Sequence, residues 1–173
     1  MYRALVVALL FSCLVGSPLG AQEKKEEKKK PAPNKQPLPT VAKLAYGEHE
    51  RQVLDFWQAK SEKPTPLVLY IHGGGWRAGD KSGMSGVEIQ QYLDAGISVA
   101  AINYRYVQQA VALKIEPPVK APLEDAARAL QTIRSKAKEW NLDKKRVGAT
   151  GGSAGGCSSL WLAFHDEDRK SVV

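Results

Sequence analysis

Hydrophobic residues along the chain fall into short blocks with two different periods. Leu67 to Ile71 and Ile97 to Asn103 are near-continuous apolar runs, the pattern of strands buried on both faces of a parallel sheet. Gln52 to Trp57 alternates more loosely and leads into Ser61-Glu62-Lys63-Pro64-Thr65-Pro66, which predicts an edge strand followed by a turn. Val87, Ile89, Tyr92 and Leu93 predict the apolar patch of a helix ending at Gly96. Leu123, Ala127, Leu130, Ile133, Ala137 and Trp140 recur at steps of three and four, which marks one face of a long amphipathic helix. A further apolar run ends at Thr150, and Cys157 to Leu162 can continue as helix. Strand and helix alternate, so the expected fold class is α/β, a mostly parallel sheet flanked by helices.

Two glycine-rich stretches stand where such strands end, which is where loops of open α/β sheets carry their chemistry. The first is His72-Gly73-Gly74-Gly75-Trp76, directly after Ile71. Three glycines in a row leave backbone N–H groups unshielded, able to point at a substrate oxygen. The second is Gly151-Gly152-Ser153-Ala154-Gly155, a G-x-S-x-G pentapeptide between a strand and a helix. A sharp turn there lifts the Ser153 hydroxyl away from the backbone, and glycine at 151 and 155 removes side chains that would collide with the turn. The turn also sets Ser153 at a helix start, where the N–H of Ala154 is a candidate oxyanion donor. Each stretch taken alone also fits a packing role; their joint occurrence points to acyl chemistry.

Together with Gly79-Asp80-Lys81 and Asn103-Tyr104-Arg105, these two motifs resemble the α/β-hydrolase fold over about Leu44 to His165. Within it they resemble the esterase and lipase branch related to hormone-sensitive lipase, which includes secreted carbohydrate acetyl and feruloyl esterases. The resemblance implies Ser153 as nucleophile and the backbone of Gly74, Gly75 and Ala154 as oxyanion donors, with Gly73 an open alternative. The sequence holds no His-x-x-x-His or Cys-x-x-Cys pair that would mark a metal site, and no cofactor is expected. His72 is expected to support the loop by hydrogen bonding. The implied substrates are small acyl esters, with acetyl or feruloyl groups on plant polysaccharide the suggested kind.

Composition changes the picture mainly at the front. Residues 1–21 read as a signal peptide, with Arg3 preceding an apolar run and small residues near Ala21, so the chain is expected to be secreted or periplasmic. That run is too short for a stable membrane span. Acylation at Cys13 is an alternative that Phe11 fits poorly. Residues 22–40 carry a Glu/Lys block and then Pro31, Pro33, Pro37 and Pro39, which predicts a disordered tether before a domain over residues 41–173. Of the formal net charge of +7, Arg3 supplies one and the Gln22 to Gln36 stretch three. The remaining +3 is an ordinary surface and gives no reason to expect a nucleic-acid partner. Cys157 has no partner other than Cys13, and is expected to pack its helix on the sheet. His49 reads as a surface residue.

A serine nucleophile needs a base within hydrogen-bond reach and an acid that orients it. In this fold the order is serine, acid, histidine. Beyond Ser153 the chain offers Asp166, Glu167 and Asp168, but its one later histidine, His165, precedes them. A helix from Ser153 to His165 would separate the two by on the order of 18 Å. The expectation is therefore the N-terminal half of an α/β-hydrolase, a C-terminally truncated member with weak or no activity. Two other readings stand beside it. One is an inert hydrolase-fold remnant or binding domain. The other is a nucleotide binder like the short-chain dehydrogenases, whose T-G-x-x-x-G-x-G loop the stretch from Thr150 approaches but for Cys157 in place of the last glycine.

Overall fold

The computed structural model of the protein describes residues 35–165. The expected signal peptide, most of the expected tether, Cys13 and the acids at 166 to 168 lie outside the described residues. The strands are β1 (Val41–Ala45), β2 (Val53–Trp57), β3 (Thr65–Ile71), β4 (Ser98–Ile102) and β5 (Leu142–Thr150). The helices are α1 (Gly86–Asp94), α2 (Val107–Ala112), α3 (Lys120–Ser135) and α4 (Ala154–Phe164).

The strands form one mixed sheet in the order β1-β2-β4-β3-β5. β3 pairs in parallel with both β4 and β5, whereas the β1–β2 and β2–β4 pairs are antiparallel. The α/β class holds, and its parallel part is the β4-β3-β5 half. β2 corrects the expectation of an edge strand: it lies between β1 and β4, and Leu54 and Phe56 are fully buried. Its loose alternation reflects a sheet covered on both faces, since Trp57 faces the opposite side from Phe56 and is buried as well.

The apolar runs become strands because each face finds a helix. On one side Phe56, Leu69, Ile71, Ala100 and Ile102 pack with Leu130 and Ile133 of α3 and Leu162 of α4. Phe56 also stacks on Trp140 with ring centroids 4.2 Å apart. On the other side Trp57, Val99 and Ala101 pack with Met84 and with Ile89 of α1. α1 starts at a capping box: Ser85 Oγ accepts from Glu88 N while the Glu88 carboxylate accepts from Ser85 N. Its Val87 points outward, 68% exposed, rather than joining the expected patch.

α3 ends at Ser135, so Trp140 belongs to the turn that follows. Its buried positions include Ala127, Leu130 and Ile133 of the predicted face, joined by Ala121, Pro122, Asp125, Ala126 and Ala129 to one side of it. Small alanines let α3 approach the sheet closely, and this outweighs hydrophobic size at Leu123. Cys157 also departs from expectation, since it is exposed and Ser158 is the residue of α4 buried at that level.

Within the stretch expected to be tether, Gln36 Nε2 donates to Met84 O at 2.8 Å and Trp57 Nε1 donates to Pro37 O at 2.9 Å. No helix among the described residues is long and apolar enough to cross a membrane.

Candidate active site

β3 and β5 run side by side with Tyr70 paired to Thr150, so the segments that leave their carboxyl ends emerge together. The glycine loop follows β3 and the serine turn follows β5. Their contact is direct. A Cβ on Gly73 would stand 2.7 Å from Gly152 O and 3.7 Å from Cβ of Ser153. The loop therefore lies against the turn with no room for a side chain between them.

Ser153 adopts φ 52 and ψ −121, a conformation that non-glycine residues rarely occupy and that costs on the order of 1–3 kcal/mol. It is exposed, and α4 begins at the next residue, Ala154. The turn is held from behind by the end of β3. Side chains at Gly151 or Gly155 would run into Ile71 O, which both glycines approach closely. Gly74 has φ 105, a conformation suited to glycine, and Gly75 faces open space. The N–H groups of Gly74, Gly75 and Ala154 find no acceptor among the described residues. Gly73 packs on the Gly152-Ser153 turn, so the loop that carries the Gly74 and Gly75 amides adjoins an exposed hydroxyl at a helix N-terminus.

The other motif residues turn out to be the supports of this loop. Tyr104 is fully buried, and its hydroxyl donates to His72 O at 2.7 Å. Its ring stacks on His72 with centroids 4.2 Å apart. Asn103 accepts from Lys81 N at 2.6 Å and donates to Asp80 Oδ2 at 2.7 Å, while Lys81 Nζ pairs with Asp55 of β2. Arg105 makes a forked contact to Asp125 of α3, whose carboxylate also accepts from Arg105 N and Gln52 Nε2. Trp76 Nε1 donates to the buried Ser158 Oγ at 3.0 Å, which ties the loop to α4.

His72 is 2% exposed and its Nδ1 donates to Gly73 O at 2.8 Å, in keeping with a loop-supporting role. Burial holds its pKa below the usual histidine value; the Gly73 bond opposes that shift and the nearby Arg51 reinforces it. The unfolded chain therefore takes up this proton first, and His72 contributes stability that is present above about pH 6.5 and is lost as pH falls below it. Urea unfolding at about pH 7.5 and about pH 5.5 is expected to show a lower midpoint at the acid end, with a smaller drop in His72→Gln. Equal drops in the two proteins would show that His72 carries no such proton linkage.

Sequence reasoning missed Arg51, Asp55, Asp125 and Ser158. Asp125 carried a legible signal, a carboxylate at helical spacing among Pro122, Ala126 and Ala129. His49 is half-buried and caps the turn before β2, its Nδ1 accepting from Arg51 N at 3.1 Å. His165 stacks on Trp161 at the opposite end of α4 from Ser153. Ser153 Oγ makes no hydrogen bond among the described residues. No group of three or more histidine, cysteine, aspartate or glutamate side chains able to hold a metal occurs among them either.

The family model described as BD-FAE matches residues 54–171, from β2 through the serine turn and α4. The chain belongs to the BD-FAE family. LipM of Mycobacterium tuberculosis, a probable carboxylic ester hydrolase, is 30% identical over a match that covers 72% of this chain and 28% of that protein. Among solved structures, a truncated form of a carbohydrate esterase from gut microbiota is similar at 28% identity and a TM-score of 0.61. The match covers 78% of this chain and 46% of that one. An acetyl ester-xyloside bifunctional hydrolase from Caldicellulosiruptor lactoaceticus is similar at 29% identity and a TM-score of 0.53, over 65% of this chain and 38% of that one. This BD-FAE chain thus has the α/β-hydrolase fold of esterases and spans less than half the length of each of these proteins.

Proposed function

We propose that the protein acts as a serine carboxylic ester hydrolase through Ser153, with the N–H groups of Gly74, Gly75 and Ala154 as oxyanion donors. The observation that supports this reading is the contact of Gly73 with the Gly152-Ser153 turn, which brings the glycine loop up to an exposed hydroxyl. Ser153 Oγ adds to the ester carbonyl, a C–O bond forms, and the carbonyl electron pair moves onto oxygen where the amides receive it. Collapse expels the alcohol, and water then releases the acyl group as a carboxylate. The Oγ proton must pass to a base, and no histidine among the described residues hydrogen-bonds Ser153. Amide donors alone still favour the transition state, so slow turnover is what the described residues support by themselves.

Acylated carbohydrate is the substrate class favoured here, by similarity to a carbohydrate esterase and an acetyl ester-xyloside hydrolase and by the open space in front of Gly75. Export through residues 1–21 accords with a polymeric substrate outside the cell. Intact-mass analysis after fluorophosphonate treatment is expected to show one slowly formed adduct on Ser153, absent from Ser153→Ala. Release of acetate from an acetylated xylan should be slow and lost in the same variant. An adduct that persists in Ser153→Ala would sink the assignment, and fast turnover would reveal a base that the described residues do not supply.

A further inference from the structure

Arg51 stands in the turn between β1 and β2, far in sequence from either glycine motif, and its side chain reaches the back of the loop. Nε donates to Tyr104 O at 2.8 Å and Nη2 donates to Gly79 O at 3.2 Å. The guanidinium carbon lies 3.7 Å from the centroid of the Tyr106 ring, and the Tyr106 hydroxyl donates to the same Gly79 O. Nη2 is also 3.4 Å from His72 Nε2. One planar group therefore touches the end of β4, the end of the glycine loop, the residue before α2 and the loop histidine.

Counting donors fixes the proton on His72. Gly73 O can only accept, so Nδ1, at 2.8 Å, carries hydrogen. A guanidinium can only donate, so Nε2 must present its lone pair to Arg51. An imidazolium would set two cations face to face at a residue 2% exposed, where little water can screen them. We propose that Arg51 is a positioning residue that holds His72 as the neutral Nδ1–H tautomer and thereby fixes Gly73, Gly74 and Gly75 against the Ser153 turn. Its consequence for catalysis rests on the oxyanion reading above; its structural part does not.

The groups around His72 come from four elements. Arg51 faces it from the β1–β2 turn, Tyr104 from the end of β4, Tyr106 from ahead of α2, and Asp80 from the loop itself. Asp80 favours the charged imidazole, but its carboxylate is engaged by Ser82 N and Asn103 Nδ2. Burial and Arg51 both act the other way. Because its lone pair faces Arg51, His72 is also removed from contention as the base for Ser153. A loop built this way keeps one shape through mild acid, where an ordinary histidine would change charge.

The test is nitrogen NMR on the full chain labelled at histidine, with His49→Gln and His165→Gln used to assign signals. Wild type is expected to show His72 protonated at Nδ1, bare at Nε2, and taking up its second proton only below the usual histidine range. In Arg51→Met, which keeps the aliphatic stem, His72 should lose its preference for the Nδ1–H tautomer and titrate at a higher pH than in wild type, and the amide signals of Gly73 to Gly75 should move with it. Arg51→Lys, which restores the charge without the fork, should recover the resistance to protonation. A proton on Nε2 in wild type, a wild-type titration near about pH 6.5, or an Arg51→Met protein behaving as wild type overturns the proposal. Should Arg51→Met not fold, the wild-type tautomer and titration decide the matter with Arg51→Lys. Fluorophosphonate capture is scored in the same samples: a failure to modify Ser153 counts against the esterase reading and leaves the Arg51–His72 result standing.

Discussion

Gly155→Ala is expected to destabilise the protein by about 3 kcal/mol and to slow the modification of Ser153 by about a hundredfold. The added Cβ would fall 1.9 Å from Ile71 O and 3.0 Å from His72 O. Both obstacles are backbone at the end of β3, so no side chain can rotate aside and α4 must retreat from the strand. Such a retreat carries Ser153 away from the glycine loop, and a displacement of about 1 Å is enough to cost two orders of magnitude in a reaction that depends on placement. Gly148→Ala on β5 is the control, because a Cβ there meets nothing within 4 Å. Urea unfolding of the two variants beside wild type checks the first number and fluorophosphonate kinetics the second. Equal behaviour of the two alanine variants would mean that the turn is not clasped by β3 in the way described.

Asp125→Ala is expected to be the other severe change, costing about 3–5 kcal/mol. The carboxylate is fully buried and accepts from Arg105 N, Arg105 Nε and Nη2, and Gln52 Nε2. Its removal leaves a guanidinium that is 15% exposed, together with a buried amide, without their acceptor. Because Arg105 directly follows Tyr104, whose hydroxyl holds His72 O, the damage should spread to the glycine loop. The same helix offers the contrast. Glu124 pairs with Lys120 at 3.6 Å with both side chains largely in solvent, so Glu124→Ala should change stability by less than about 1 kcal/mol. Thermal or urea unfolding of the pair decides it, and similar losses in both would refute the assignment of Asp125 as the anchor.

What could be read from sequence divides along a physical line. β3 and β4 were legible because a strand buried on both faces must be apolar at every position, and the two glycine motifs were legible because their constraint is local. β1 was missed: its burial follows no clean alternation, and Lys43 has φ 52 within it. The position of β2 inside the sheet was misread because a strand's own pattern does not name its neighbours. The supports of the site were harder still. Arg51 acts on Tyr104 O and Gly79 O, contacts that no spacing encodes, and Asp125 was passed over although it is fully buried against Arg105 and Gln52. Long-range polar contacts are set by tertiary geometry, whereas periodicity reports only which side of an element is apolar.

The groups proposed to receive the substrate oxygen are peptide groups, and the glycines that join loop to turn, Gly73, Gly151 and Gly155, lie against the carbonyls of Gly152 and Ile71. An apparatus of that kind depends on a few positions without a Cβ and on the buried supports behind them, and not on the side chains that face the open space before Gly75. If Ser153 reacts as proposed, lineages of this scaffold are free to rebuild the walls around it for new acyl and alcohol groups without passing through a loss of chemistry.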